Sequence, residues 1–140
     1  MREILFKGKR IDTEEWAFGS LLIDGEAHKT GSKENFSFSK HYIVPETDAE
    51  NIQTRFSDGS FYLNTVAYHI IQETACQFTG FIDKNKKQIF ESDIVKVDGK
   101  LYEVKYMLGQ FYIGINMPIA YKRFDCEVVG NVFDNPEFLK

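Results

Sequence analysis

Residues 77–97 read QFTGFIDKNKKQIFESDIVKV. Two apolar segments flank the polar stretch 83–86, and an acidic step then leads into a segment rich in Val and Ile. Asp, Asn and Gly favour tight turns, whereas β-branched and aromatic residues favour strands. The stretch therefore predicts two strands joined by a tight turn, followed by a third strand from Ile94. This pattern is typical of a small β-barrel or β-roll.

The same spacing of short apolar segments and turn residues continues to the end of the chain. Asp98-Gly99 is a hairpin signal, because this pair tolerates positive φ. Many short strands separated by Gly, Asp and Asn indicate an antiparallel barrel or roll. The expected elements are strands over 94–97, 100–107, 111–115 and 127–133, and a terminal turn or helix over 135–139.

The N-terminal half begins with a second hairpin signal. Strands over 3–7 and 16–23 are joined by a polar connection, and Asp24-Gly25 ends the second one. Tyr42, Ile43 and Val44 indicate a further short strand.

The following stretch is less regular. An acidic segment from Pro45 to about Phe56 fits the start of a short helix. Residues 61–76 fit either helical spacing or a strand. We expect one domain over residues 1–140, in which 26–65 is an insertion or a mobile lobe.

Composition excludes several classes of protein. The chain has 140 residues, of which 43% are hydrophobic and 15% aromatic, and its net charge is −4. A nucleic-acid-binding domain usually shows a basic excess. No apolar run approaches the length of a membrane span, and no leader segment opens the chain. We therefore expect a cytoplasmic protein with no membrane partner, in which Cys76 and Cys126 are reduced and partly buried.

Patterns for metal or catalytic chemistry are weak. His28, His41 and His69 are scattered, without the spacing of a metal site. Glu91 and Asp93 share one face if they lie on a strand, and they fit acid–base chemistry as well as local hydrogen bonds. The prediction is a protein without cofactor or metal that is not an enzyme.

A pairing of Cys76 with His69 is a weaker candidate for nucleophilic catalysis, because only the folded chain could bring the two side chains together and no sequence motif does so.

Two features suggest a binding surface. The first ten residues carry four cations against Glu3, which suits either a small patch for phosphate contacts or, more simply, a solvated strand end. An aromatic set in the second half suits base stacking or a peptide groove, although core packing also explains it. The aromatic set is Phe78, Phe81, Phe90, Tyr102, Tyr106, Phe111 and Tyr112. The predicted surface comprises Arg2, Lys7, Lys9, Arg10, Tyr102, Phe111 and Tyr112.

Three parts of the chain together resemble the YopX family of phage and prophage proteins. The first is residues 2–10 (REILFKGKR) with 15–21 (EWAFGSL), the second is 72–95, and the third is 127–137 (EVVGNVFDNPE). Their order and spacing span nearly the whole chain. The chain departs from the family where it has Lys86 and Ser92, since the family usually has Gly at both.

The resemblance implies a mainly-β fold, an SH3-like barrel or roll with one or two short helices, encoded by a phage or prophage. It implies no enzymatic activity, and turn-shaping roles for Gly80, Asp83, Asn85 and Asp93. Small barrels of this kind generally act as binding modules, a step that rests on analogy of fold. The leading hypothesis is an accessory protein that binds a host or phage protein or itself. The alternative is a nucleic-acid-binding module.

Overall fold

The computed structural model describes residues 3–24, 40–45, 54–57, 60–63, 66–122 and 125–140. The chain falls into two compact units, which we call the N-terminal unit, Leu5–Ala75, and the C-terminal unit, chiefly Cys76–Lys140. In the described part of the chain, no helix has the length and apolar character needed to cross a membrane.

The N-terminal unit is an antiparallel sheet in which the strands are ordered β6-β3-β2-β1, with a separate β4–β5 hairpin. Ala17, Ile43 and Ile70 form its small buried core. The elements are β1 Phe6–Lys9, β2 Trp16–Asp24, β3 Lys40–Val44, β4 Thr54–Ser57, β5 Ser60–Leu63, β6 Tyr68–His69 and a 3₁₀ helix Gln72–Thr74.

The C-terminal unit contains a β7–β8 hairpin and a five-stranded antiparallel sheet in the order β12-β11-β10-β9-β13. Its core includes Ile89, Val95, Val104, Ile113 and Cys126, all at most 1% exposed. The elements are β7 Cys76–Ile82, β8 Gln88–Phe90, β9 Asp93–Val97, β10 Lys100–Met107, β11 Gln110–Ile113, β12 Met117–Pro118, α1 Ile119–Lys122, β13 Glu127–Asn131 and a 3₁₀ helix Pro136–Leu139.

These elements confirm a mainly-β, antiparallel fold with few helices. β1 begins three residues later than expected, while β2, β9, β10 and the terminal helix lie close to their predicted positions. The helix prediction from Pro45 to Phe56 is wrong at its end, because residues 54–57 form a strand; residues 46–53 lie outside the described part. Among the described strands, the outer pair β12 and β13 do not bond to each other, so closure into a barrel stays a prediction.

Asp83 holds the turn between β7 and β8. Its side chain is buried, and one carboxylate oxygen accepts hydrogen bonds from the backbone N–H groups of Asn85 at 2.8 Å and Lys87 at 2.9 Å. The other oxygen accepts from the N–H of Val128 in β13 at 2.8 Å. One carboxylate therefore fixes the turn and attaches it to a strand 45 residues later.

Asp93 also fixes a turn through a buried carboxylate, but its hydrogen-bond partner is only three residues away in the sequence. It is buried at the start of β9, and its carboxylate accepts the N–H of Phe90 at 2.8 Å. The turn-shaping roles predicted for both aspartates are thus present in the structure.

We expect Asp83→Ala to lower the free energy of unfolding by about 3 kcal/mol or more, because it leaves three backbone donors without their charged acceptor. Asp125→Ala, at an exposed position, is the matched control and should change stability by less than about 0.5 kcal/mol. Urea unfolding of both variants measures the difference. Equal midpoints for Asp83→Ala and the wild type would contradict the assigned role.

Lys86 and Ser92 adopt the left-handed backbone conformation, with φ of 65° and 64°. A side chain destabilises this conformation, whereas glycine adopts it freely. The backbone at both positions therefore suits the glycine that the YopX resemblance leads one to expect there.

Lys86→Gly should raise the free energy of unfolding by up to about 1 kcal/mol, because it relieves the left-handed strain. Lys87→Gly, in the same loop but outside that conformation, should lower it by about 0.5–1 kcal/mol through added chain entropy. Thermal or urea unfolding distinguishes them. A loss of stability in both variants would show that the backbone at Lys86 is not strained.

Candidate functional site

A cleft of about 520 Å³ opens in the C-terminal unit. Gln77, Thr79, Gly80 and Phe81 of β7 form one wall, in the part of the strand where its register to β8 shifts. The β10–β11 hairpin and α1 supply the remaining walls. The lining residues are Gln77, Thr79, Gly80, Phe81, Tyr106, Gly109, Gln110, Phe111, Ile119 and Ala120.

The base of the cleft is apolar and continuous with the core. Phe111 and Ile119 are buried members of the core, and Phe81 packs against the same cluster. Tyr106 lies opposite Phe111 in the hairpin register and contacts it edge-on, with ring centroids 5.1 Å apart. Because Tyr106 is 54% exposed, an aromatic surface remains open to solvent.

Uncharged polar groups accompany this apolar base. The Thr79 hydroxyl donates to the carbonyl of Ile89 at 2.8 Å and accepts the N–H of Phe81 at 3.2 Å. The Gln110 amide donates to the Tyr112 hydroxyl at 2.8 Å. Among the described residues that line the cleft, none carries a charge. The cleft therefore suits a neutral occupant with apolar groups and a few hydrogen-bonding groups.

The predicted basic surface has a different environment. The ammonium groups of Lys7 and Lys9 lie 4.8 Å and 5.7 Å from the centre of the Trp16 ring. Alternation places both lysines on one face of β1, and Lys9 is paired directly with Trp16 in β2. Lys7 is buried. These two cations contact an aromatic side chain of the same unit.

Arg10 makes two hydrogen bonds to the Asp12 carboxylate, at 2.9 Å and 2.6 Å, and stacks over Tyr68 at 4.1 Å. The hydrogen bonds raise the pKa of the guanidinium and lower the pKa of Asp12. Arg2 lies outside the described residues. The three described cations of the predicted surface are thus engaged by neighbouring side chains.

The three aromatic residues of the predicted surface have different positions. Phe111 is buried at the base of the cleft. Tyr102 is partly buried against the core, and Tyr112 is partly buried and bonded to Gln110. Only Phe111 of this set lines the cleft. Gln77, Thr79 and Gln110 line the cleft but were not predicted from the sequence, since the irregular register of β7 and the pairing of β10 with β11 appear only in the structure.

Glu91 and Asp93 are the two carboxyl groups of the predicted acid–base pair. Burial raises the pKa of Glu91 and the neighbouring Glu103 carboxylate adds to the effect, while a hydrogen bond from the N–H of Gln77 opposes it. Asp93 is buried and bonded to backbone. Neither residue lines the cleft.

Glu91→Gln should stabilise the protein at neutral pH. In the folded protein the pKa of Glu91 lies above 4.5, its ordinary value. As the pH rises from 4.5 through the folded-state pKa, ionisation of Glu91 therefore lowers the stability of the fold. Below about pH 4.5, where Glu91 is protonated in both the folded and the unfolded state, Glu91→Gln and the wild type should unfold at the same denaturant concentration. Urea unfolding across pH checks this. A difference that is independent of pH would refute it.

The remaining titratable candidates form no site in the described part of the chain. No group of three or more His, Cys, Asp or Glu residues is arranged there to hold a metal ion. His69 packs against Tyr42 with ring centroids 5.0 Å apart, and His28 lies outside the described residues. Cys76 and Cys126 are thiols and not a disulfide, as predicted, but they are fully buried where partial burial was expected, and burial raises the pKa of Cys126.

Comparison with known proteins gives the family. The protein-family model that is described as YopX protein matches residues 23–140, which is most of the chain. This chain belongs to the YopX family. Its structure is similar to the crystal structure of protein EF1440 from Enterococcus faecalis, with a TM-score of 0.57 over 100% of both chains and 21% sequence identity. That likeness shows a shared fold. A search of curated proteins finds no match.

Proposed function

We propose that this YopX-family protein is a non-enzymatic binding module that recognises another protein, of host or phage origin, through the cleft of its C-terminal unit. The observation that carries the proposal is the open cleft with an aromatic base, whose described lining residues carry no charge. Its volume lies in the usual range for binding clefts, about 300–1,000 Å³.

The chemistry of the lining favours a protein segment as the occupant. Phe81, Tyr106 and Phe111 offer apolar and aromatic surface, and Gln77 and Gln110 offer amides that can pair with a peptide backbone. Aromatic-lined grooves of this composition are a recurring means of peptide recognition. A strongly charged ligand finds no complementary charge on the described lining residues.

The setting of this activity follows from the family resemblance. We propose a phage or prophage origin and a location in the cytoplasm of the bacterial host. We further propose that the C-terminal unit is an SH3-like barrel or roll, a proposal supported by its short antiparallel strands and by the bulge between Val128 and Gly130 in β13.

A cleft-filling substitution tests the proposal. Ala120 is exposed on α1 and lines the cleft, so Ala120→Trp should fill it without disturbing the core. Lys96→Trp, at an exposed position on β9 that does not line the cleft, is the matched control. Tagged wild type and both variants are used for capture from phage-infected host lysate, with and without nuclease, and bound proteins are identified by mass spectrometry.

We expect a nuclease-resistant protein that binds the wild type and Lys96→Trp, and whose recovery falls at least about tenfold with Ala120→Trp, a loss of about 1.4 kcal/mol of binding energy. Equal recovery by Ala120→Trp would show that the cleft is not the binding site. Loss of every bound protein after nuclease would favour the nucleic-acid alternative instead.

A further inference from the structure

Two hairpins of the C-terminal unit have the same turn but different residues at its first position. Asp98-Gly99 joins β9 to β10, with φ of 49° and 80°, and Leu108-Gly109 joins β10 to β11, with φ of 51° and 78°. Two positive φ values in a two-residue loop define a type I′ turn, which favours Asn, Asp or Gly at its first position. Asp98 satisfies this preference and Leu108 does not.

Leu108 is unfavourable for the isolated chain in two respects. A bulky side chain in the left-handed conformation is strained, and this one is 92% exposed to solvent. Asp98 shows that the fold forms the same turn with a suitable residue. The choice of Leu108 is therefore not explained by the turn, and an outlier of this kind points to a role outside the turn.

The position of Leu108 relates it to the cleft. The next residue, Gly109, lines the cleft, as does Ala120, which precedes Tyr121. Tyr121 is 81% exposed. Leu108 and Tyr121 are thus two exposed side chains that adjoin lining residues in the sequence, and the cleft has an apolar, aromatic base. A projecting apolar group and a partly apolar cavity therefore occur on one unit.

We infer that two copies of this chain associate through this surface, with Leu108 of each copy entering the cleft of the other. A two-fold contact requires a surface that is complementary to itself, and an apolar projection beside a cleft with an apolar base meets this requirement. The described lining residues carry no charge, so two chains of net charge −4 can meet there without facing like charges. The inference rests on the cleft of the proposed function and names a second copy as its occupant.

Sedimentation velocity of the purified full chain over a series of concentrations tests the inference. The wild type should shift from the monomer mass of 16.2 kDa toward the dimer as concentration rises. Leu108→Asn should need at least about tenfold higher concentration for the same dimer fraction. It should also melt at the same or a higher temperature, because Asn accepts the left-handed conformation and leaves no exposed apolar side chain.

Two further variants complete the test. Asp98→Asn places the same residue at the matched turn and should associate as the wild type does. Ala120→Trp should weaken association by blocking the cleft. An equimolar mixture of Ala120→Trp and Leu108→Asn should recover part of the association, because Leu108 of the first variant can still enter the open cleft of the second.

A wild type that stays at the monomer mass, or a Leu108→Asn variant that associates equally well, would overturn the inference. So would a loss of association in Asp98→Asn, which would implicate turn stability instead of Leu108. This measurement uses the purified chain alone. If the chain does not dimerise, the proposed binding of another protein is therefore not refuted. Dimerisation without such capture would refute the proposed function alone.

Discussion

The buried carboxylate of Asp83 is the constraint on which the arrangement of the C-terminal unit depends. A buried charge is tolerated only when hydrogen bonds replace its hydration, and here three backbone N–H groups do so. One of them belongs to β13, which pairs with β9 in the main sheet. The carboxylate therefore attaches the β7–β8 hairpin to that sheet. Since β7 forms one wall of the cleft, the shape of the cleft depends on the same interaction.

Local signals were sufficient for the turns and for most strands of this unit. Asp98-Gly99 specifies its hairpin through backbone preference alone, and the polar stretch 83–86 specifies another. The pairing of β9 with β13 joins segments more than thirty residues apart, and no local preference encodes it. The aromatic set illustrates the limit: its sequence pattern suits a binding surface as well as core packing, and only the assembled sheet shows that Phe111 lines the cleft whereas Tyr102 packs against the core.

The basic segment near the N-terminus shows why charge counted along a sequence is a weak guide to function. Its excess of cations resembles a phosphate-binding patch, but register brings Trp16 beside Lys7 and Lys9. Arg10 is engaged by Asp12 two residues away and by Tyr68 on a distant strand. The contact with Asp12 was readable from the sequence, whereas both aromatic contacts depend on strand pairing. Contacts of this kind stabilise the unit and reduce the charge available to a ligand.

Positions at which a residue does not suit its backbone conformation or its exposure are informative, because most described residues of this chain do suit theirs. Natural sequences usually combine suitable turn residues, covered apolar groups and satisfied polar groups, and they violate these rules mainly at functional sites. Lys86 and Ser92 violate one rule each, through their backbone conformation. Leu108 violates two rules at once, and its neighbour Gly109 lines a cleft in which Tyr106 is 54% exposed. Exposed apolar surface and backbone strain thus occur together beside the cleft, which is why we propose recognition there and not at the basic strand, where Lys7, Lys9 and Arg10 contact side chains of their own unit.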